Sequence, residues 1–109
     1  MRNTDYVVVS TTVDGKSAAI KLAQRIIKQK LAACVQFMPI NSIYQWKGKV
    51  ESAKEYLVLS KTKGSLAKKL TAFIKKQHSY EVPEIVVSPI VGGYNEYLKW
   101  IGEETMIDE

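Results

Sequence analysis

Residues 41–62 place the strongest constraint on what this chain can fold into. Asn41-Ser-Ile-Tyr-Gln-Trp-Lys47 and Glu55-Tyr-Leu-Val-Leu-Ser-Lys-Thr62 are strand-like runs, rich in β-branched and aromatic residues. Gly48 marks a tight turn between them, and Lys49-Val50-Glu51 leads out of it. The two runs predict one long hairpin. By the two-residue strand period, Tyr44 and Trp46 share one face and Ile43 and Gln45 the other. Upstream, Ala33-Cys-Val-Gln-Phe-Met38 begins the first of these strands, and Pro39 interrupts it. A proline there predicts an edge position or a bulge, because it cannot donate to a central ladder.

The rest of the chain surrounds this hairpin with a regular alternation. Tyr6-Val-Val-Val-Ser-Thr-Thr12 reads as a compact strand, turned by Asp14-Gly15. Ser17 then offers a cap for a helix over Ala18–Leu31, whose apolar residues Ala19, Leu22, Ala23, Ile26 and Ile27 follow the helical period. Gly64-Ser65 offers a stop and a second cap. A second helical stripe follows through Leu66, Leu70, Phe73, Ile74 and Gln77. Pro83–Ile90 reads as a fourth strand bracketed by prolines. Gly92-Gly93 breaks it, Asn95 is a plausible cap, and Tyr97–Ile107 predicts a short terminal helix. The order is β-α-β-β-α-β plus a helix, in the α+β class: the ferredoxin-like antiparallel plan, with two helices on one face of the sheet. The other face is expected to be open. Tyr6, Tyr44, Trp46 and Tyr56 cannot all hide under two helices, and exposed aromatic strands predict a partner surface.

At 109 residues the chain predicts a single domain, 1–109. No apolar run approaches the roughly 18 residues of a membrane span, so no membrane partner is expected. A single cysteine, Cys34, excludes an internal disulfide framework and predicts a reducing, cytoplasmic setting, as does the lack of a signal-like apolar run at the start. Charge is unevenly divided. Residues 1–76 carry 15 Lys/Arg against 4 Asp/Glu, a net of +11; residues 77–109 carry 1 against 7, a net of −6. That division suits solvated helix faces, or two ends brought together within a subunit or across an interface.

Composition and motif argue against two rival classes. An RNA-recognition domain shares this element order, but needs a Lys/Arg-Gly-Phe/Tyr-x-Phe pattern on its third strand. Lys47-Gly48-Lys49-Val50 followed by Tyr56-Leu57-Val58 fails that pattern, so no nucleic-acid partner is expected. A phosphate-handling enzyme of this plan needs an arginine in a glycine-rich loop, and neither arginine here lies in one. No nucleophile elbow or Ser/His/Asp set has recognisable context, and the reading is non-enzymatic.

Five motifs remain: Leu31-Ala-Ala-Cys-Val35, Tyr44-x-Trp46-x-Gly48-Lys49, Lys61-Thr62, His78-x-Tyr80-Glu81-Val82-Pro83-Glu84-Ile85 and Tyr97-Leu98-x-Trp100. Their order and spacing, over about residues 6 to 101, resemble the CutA family, the divalent-cation tolerance proteins. The resemblance implies a ferredoxin-like subunit in a compact homotrimer, built like the PII signalling proteins, with the hairpin strands pairing across subunits. It also implies a role in tolerance to copper and other divalent metals, with Cu(II) or another divalent ion as the candidate bound metal and no organic cofactor. Copper-binding members can supply a cysteine at the end of the first strand and a His-His pair ahead of the Tyr-x-x-Pro motif. Here those positions hold Ser10 and Gln77-His78, so only His78 carries over. Hydroxyl, amide and one imidazole are a poorer copper set than a thiolate with two imidazoles.

The candidate site residues each have two readings. His78, the only histidine, is a metal-ligand candidate with Glu81 and Glu84 three and six positions on; it could instead satisfy helix-end carbonyls and pack beside Pro83. Cys34 suits core packing, or a soft ligand or reactive thiol. Tyr44 and Trp46 suit a trimer core, or stacking on a base. Lys61 and Glu84 suit a plain salt bridge, or, with Tyr44, Trp46 and Tyr80, the inter-subunit cleft that the resemblance implies. As an alternative function, a PII-like trimeric sensor would bind a small anionic ligand in such clefts, using Lys49, Lys61 and Trp46.

Overall fold

A computed structural model describes residues 5–107. The element order is β1 (Tyr6–Val13), α1 (Lys16–Lys28), β2 (Cys34–Trp46), β3 (Lys49–Lys63), a 3-10 turn (Gly64–Leu66), α2 (Ala67–Gln77), β4 (Ile85–Pro89) and α3 (Asn95–Glu103). The strands form one antiparallel sheet in the order β2-β3-β1-β4. The α+β reading and the βαββαβ order plus a C-terminal helix are both found.

The hairpin is longer and more regular than its sequence suggests. β2 runs unbroken through Pro39, paired with β3 in one register from Cys34↔Lys61 to Trp46↔Lys49. Of the two options Pro39 left, the edge is the one taken, since β2 is an outer strand and no bulge interrupts its register. The connecting residues Lys47 and Gly48 both have positive φ, 50° and 79°. That is the two-residue turn whose twist matches the flanking strands. β1 pairs with β3 only from Tyr56 to Lys63. Residues 49–55 therefore pair with β2 alone, and the hairpin projects as a two-stranded arm.

Directly opposed residues share a sheet face, so the register assigns every side chain. Val7, Val9, Thr11 and Val13 of β1 stand with Tyr56, Val58, Ser60 and Thr62 of β3. This face is covered by Ala19, Leu22 and Ile26 of α1 and Leu70 and Ile74 of α2, and it holds the hydrophobic core. Tyr56 belongs to it, against Phe37 at a ring separation of 6.3 Å. It is therefore on the opposite face from Tyr44 and Trp46, a correction to its expected place in an open aromatic surface.

The second face is only partly open. α3 lies against its far end, where Lys61 donates to the Tyr97 hydroxyl at 3.3 Å and Lys63 to the Met106 carbonyl at 2.8 Å. Leu98 and Ile101 are buried there. The expectation of a bare face fails because the C-terminal helix folds back over it.

Helix ends differ from expectation for local reasons. Ser17 and Ser65 make no capping bond; α1 starts after Gly15, and a 3-10 turn leads into α2. α1 stops at Lys28, not Leu31, because Lys30 adopts a left-handed conformation at φ 57°. The Leu31 and Lys30 amides then bond back to the Ile26 and Ile27 carbonyls, a Schellman closure made without glycine. β4 is shorter than predicted, and Pro83 and Glu84 belong to the preceding loop rather than to its start. Asn95 is the first residue of α3 rather than its cap, and the helix ends at Glu103.

Candidate functional site

The loop after α2 crosses the second sheet face at the base of the hairpin arm. Thr12, Ser42, Ile43, Tyr44, Trp46, Glu55, Tyr80, Glu81, Val82, Pro83 and Glu84 line the groove so formed, which has a volume of about 620 Å³. The strand period explains its floor. Tyr44 and Trp46 face Glu51 and Lys49, and share a face with Ser42 and Glu55.

His78 anchors the loop. Its Nε2 lies 2.7 Å from the Thr12 carbonyl, and its Nδ1 accepts the Tyr80 amide at 3.1 Å. A carbonyl only accepts and an amide only donates, so the pair assigns the tautomer with the proton on Nε2. Both ring nitrogens are thereby engaged inside the subunit. The anchoring carbonyl is at the end of β1, not at a helix end. The His78 ring also packs against Tyr80, with centroids 4.7 Å apart.

Tyr80 in turn fixes the groove floor. Its hydroxyl donates to Glu55 Oε2 at 2.8 Å. Burial first, and then the bond to the Glu55 carboxylate, raise the Tyr80 hydroxyl well above the ordinary tyrosine pKa. Glu55 is 8% exposed, whereas Glu81 and Glu84 are exposed on the rim.

Of the residues singled out in the sequence, Tyr44, Trp46, Tyr80, Glu81 and Glu84 meet at the groove. Lys61 does not join them within the subunit; it sits over the Tyr97 ring at 5.3 Å. Lys61 and Glu84 are not brought into a salt bridge. Cys34 is half-buried opposite Lys61, outside the core cluster. Ser10 donates to the Val86 carbonyl at 3.3 Å. Sequence reasoning missed Glu55. Its signal was a carboxylate opening an apolar strand run, in phase with Leu57 and Leu59.

The donor set of this chain does not fit a copper ion. Among the described residues no three His, Cys, Asp or Glu side chains are grouped to hold a metal. His78 offers no free nitrogen, and Cys34 lies on the sheet beside Lys61.

A four-stranded α+β domain with a projecting hairpin and an aromatic, acid-lined groove defines a structural class, and its relatives identify it. The family model described as CutA1 divalent ion tolerance protein matches residues 7–104, and the chain belongs to that family. It is 45% identical over 100 residues to the chloroplastic CutA protein of Arabidopsis thaliana, covering 91% of this chain and 55% of that one. It is 42% identical over 99 residues to the divalent-cation tolerance protein CutA of Thermus thermophilus, covering 90% of this chain and 96% of that one. The chain thus spans about half the length of the plant relative and nearly all of the bacterial one. The crystal structure of CutA1 from Oryza sativa superposes with a TM-score of 0.90 at 44% identity, covering 94% of this chain and 97% of the other. No helix among the described residues is long and apolar enough to cross a membrane.

Proposed function

We propose that this chain acts in tolerance of divalent cations, as a cytoplasmic homotrimer without enzymatic turnover. The family match over residues 7–104 and the names of the relatives support the tolerance role. The observation that carries the assembly is the arm. A two-stranded hairpin alone is marginally stable in water, and a third strand or other cover is needed. Beyond Tyr56 no third strand among the described residues reaches β3, and Ile43 and Val50 are 78% and 73% exposed near the tip. Packing of arms between copies removes that apolar surface from water.

One subunit lacks a complete ligand set, so the proposal assigns Cu(II) or another divalent metal to groups from more than one copy. Glu81 and Glu84 are the oxygen donors best exposed for this, with Cys34 as a further candidate; His78 is committed to the Thr12 carbonyl and the Tyr80 amide. A PII-like sensor of small anions is the weaker reading. Three carboxylates line the groove of the subunit, and Lys61 engages Tyr97 instead.

Light scattering tests the assembly: the expected mass is about three times the subunit's 12.3 kDa, and a monomer at micromolar concentration overturns the trimer. Calorimetric titration with Cu(II) and Zn(II) tests the metal. Affinity unchanged in a Glu81→Gln, Glu84→Gln double variant would remove the carboxylates from the proposal.

A further inference from the structure

The helix layer carries charge of one sign. α1 has Lys16, Lys21, Arg25 and Lys28, α2 has Lys68, Lys69, Lys75 and Lys76, and neither has an Asp or Glu. Like charges without opposite partners repel, and such a layer attracts anions. Most of it is plain solvated surface, but one place is shaped. A pocket of about 160 Å³ opens between α1 and the end of α2. Its floor is apolar, built from the buried Val13 and Leu22 with Ala18 beside them. Ala18, Lys21, Leu22 and Arg25 recur at three- and four-residue spacing, so one stripe of α1 supplies both that floor and two cations. Val13 belongs to the core face, which puts this pocket on the opposite side of the sheet from the groove at the base of the arm.

Arg25 is the decisive residue. Its Nη1 donates to Gln77 Oε1 at 2.8 Å, a bond between residues 52 apart in sequence. That bond holds the guanidinium at the pocket and leaves its other N–H groups for a ligand. Lys21 stands one turn before it, and Ser79 adds a hydroxyl from the loop. No Asp or Glu lines the pocket, and among the described residues no acid pairs with Lys21 or Arg25. His78 also lines it, with both ring nitrogens already bonded to Thr12 and Tyr80. This donor set selects an anion. A carboxylate is flat and carries one charge. A phosphoryl group presents three oxygens and a charge of about −1.5 to −2, which guanidinium, ammonium and hydroxyl donors can meet together. The volume, equal to roughly five waters at about 30 Å³ each, suits one such group and excludes a large ligand from full burial. We propose that this pocket binds a phosphate group, free or as a small monoester, with the Arg25 fork on two oxygens and Lys21 and Ser79 on the third. The site lies within one chain and uses none of the residues assigned to the metal or to the inter-subunit cleft, so it is independent of both readings.

The full chain, labelled with 15N, is titrated with inorganic phosphate and with ethyl phosphate while its amide and Arg25 Nε–H signals are followed. Sodium acetate and sodium chloride at equal ionic strength are the controls. Saturable shifts are expected at residues 77–79 and at Arg25, with acetate several-fold weaker and chloride without effect. Binding of ethyl phosphate assigns a monoester as ligand; binding of inorganic phosphate alone assigns the free ion. Lys21→Gln with Arg25→Gln should weaken binding about tenfold or more, as loss of hydrogen bonds to a charged group does. Lys68→Gln with Lys69→Gln removes the same charge from the layer outside the pocket, and should change affinity by less than about twofold. Arg25→Lys keeps the charge and loses the fork, and should weaken binding about threefold to tenfold. The idea is overturned by the lack of a saturable shift, by acetate binding as tightly as phosphate, or by equal losses in the two double variants. If the Lys21, Arg25 double variant does not fold, unchanged affinity in Arg25→Lys overturns it.

Discussion

Tyr80 and Glu55 join two parts of the chain that are 25 residues apart, through a hydroxyl–carboxylate bond of 2.8 Å. The bond ties the loop after α2 to β3 where the hairpin arm leaves the sheet. It closes the groove floor. Tyr80→Phe keeps the ring and removes the bond, and is expected to cost about 1–3 kcal/mol in denaturant unfolding. A loss under a few tenths would show that the bond adds nothing to stability.

The same bond makes stability depend on alkaline pH. The folded state raises the Tyr80 pKa above its unfolded value near 10, so folding favours the protonated hydroxyl. This contribution is fully present below about pH 10 and is lost as pH rises further. Thermal melts between about pH 9 and 11.5 should fall more steeply in the wild type than in Tyr80→Phe. Parallel slopes would exclude Tyr80 as the source.

His78 is a brace in the single subunit. His78→Ala removes the bonds to the Thr12 carbonyl and the Tyr80 amide, and should cost about 1–3 kcal/mol. Copper affinity, titrated in the folded variant, should stay within about twofold. A tenfold loss of affinity would make His78 a ligand.

Among the described residues, the core face contains three hydroxyls without partners, on Thr11, Ser60 and Thr62, all fully buried. Thr11→Val and Thr62→Val preserve shape and remove an unsatisfied group. Each should be neutral or stabilising by up to about 1 kcal/mol, read as a shift in denaturation midpoint. A loss above 1 kcal/mol would reveal a partner for the hydroxyl.

The hairpin turn has room for improvement. Lys47 has positive φ with a side chain that disfavours it, followed by Gly48. Lys47→Asn creates the Asn-Gly pair preferred in such turns and should stabilise by a few tenths of a kcal/mol to about 1. Gly48→Ala meets no neighbour within 4 Å, yet should destabilise by about 1 kcal/mol from its backbone conformation alone. The same midpoint measurements check both.

Sequence periodicity by itself determined the strands, the helices, their order, and the sharing of one face by Tyr44 and Trp46. Those features rest on local alternation and on hydrophobic stripes that any short window contains. It also marked residues 78–84 as unusual, through a lone histidine beside tyrosine, proline and two carboxylates. Other features depend on partners distant in the chain. The Lys30 helix stop, the place of Tyr56 in the core and the return of α3 over the second face all follow from which surfaces must leave water. Glu55 looked like an ordinary strand end until the sheet register put it beneath Tyr80. His78 could be read as a metal ligand or as a partner for helix-end carbonyls until the Thr12 carbonyl and the Tyr80 amide took both its nitrogens. A hydrogen bond between residues 66 positions apart has no periodic signature, so only the tertiary structure could decide it.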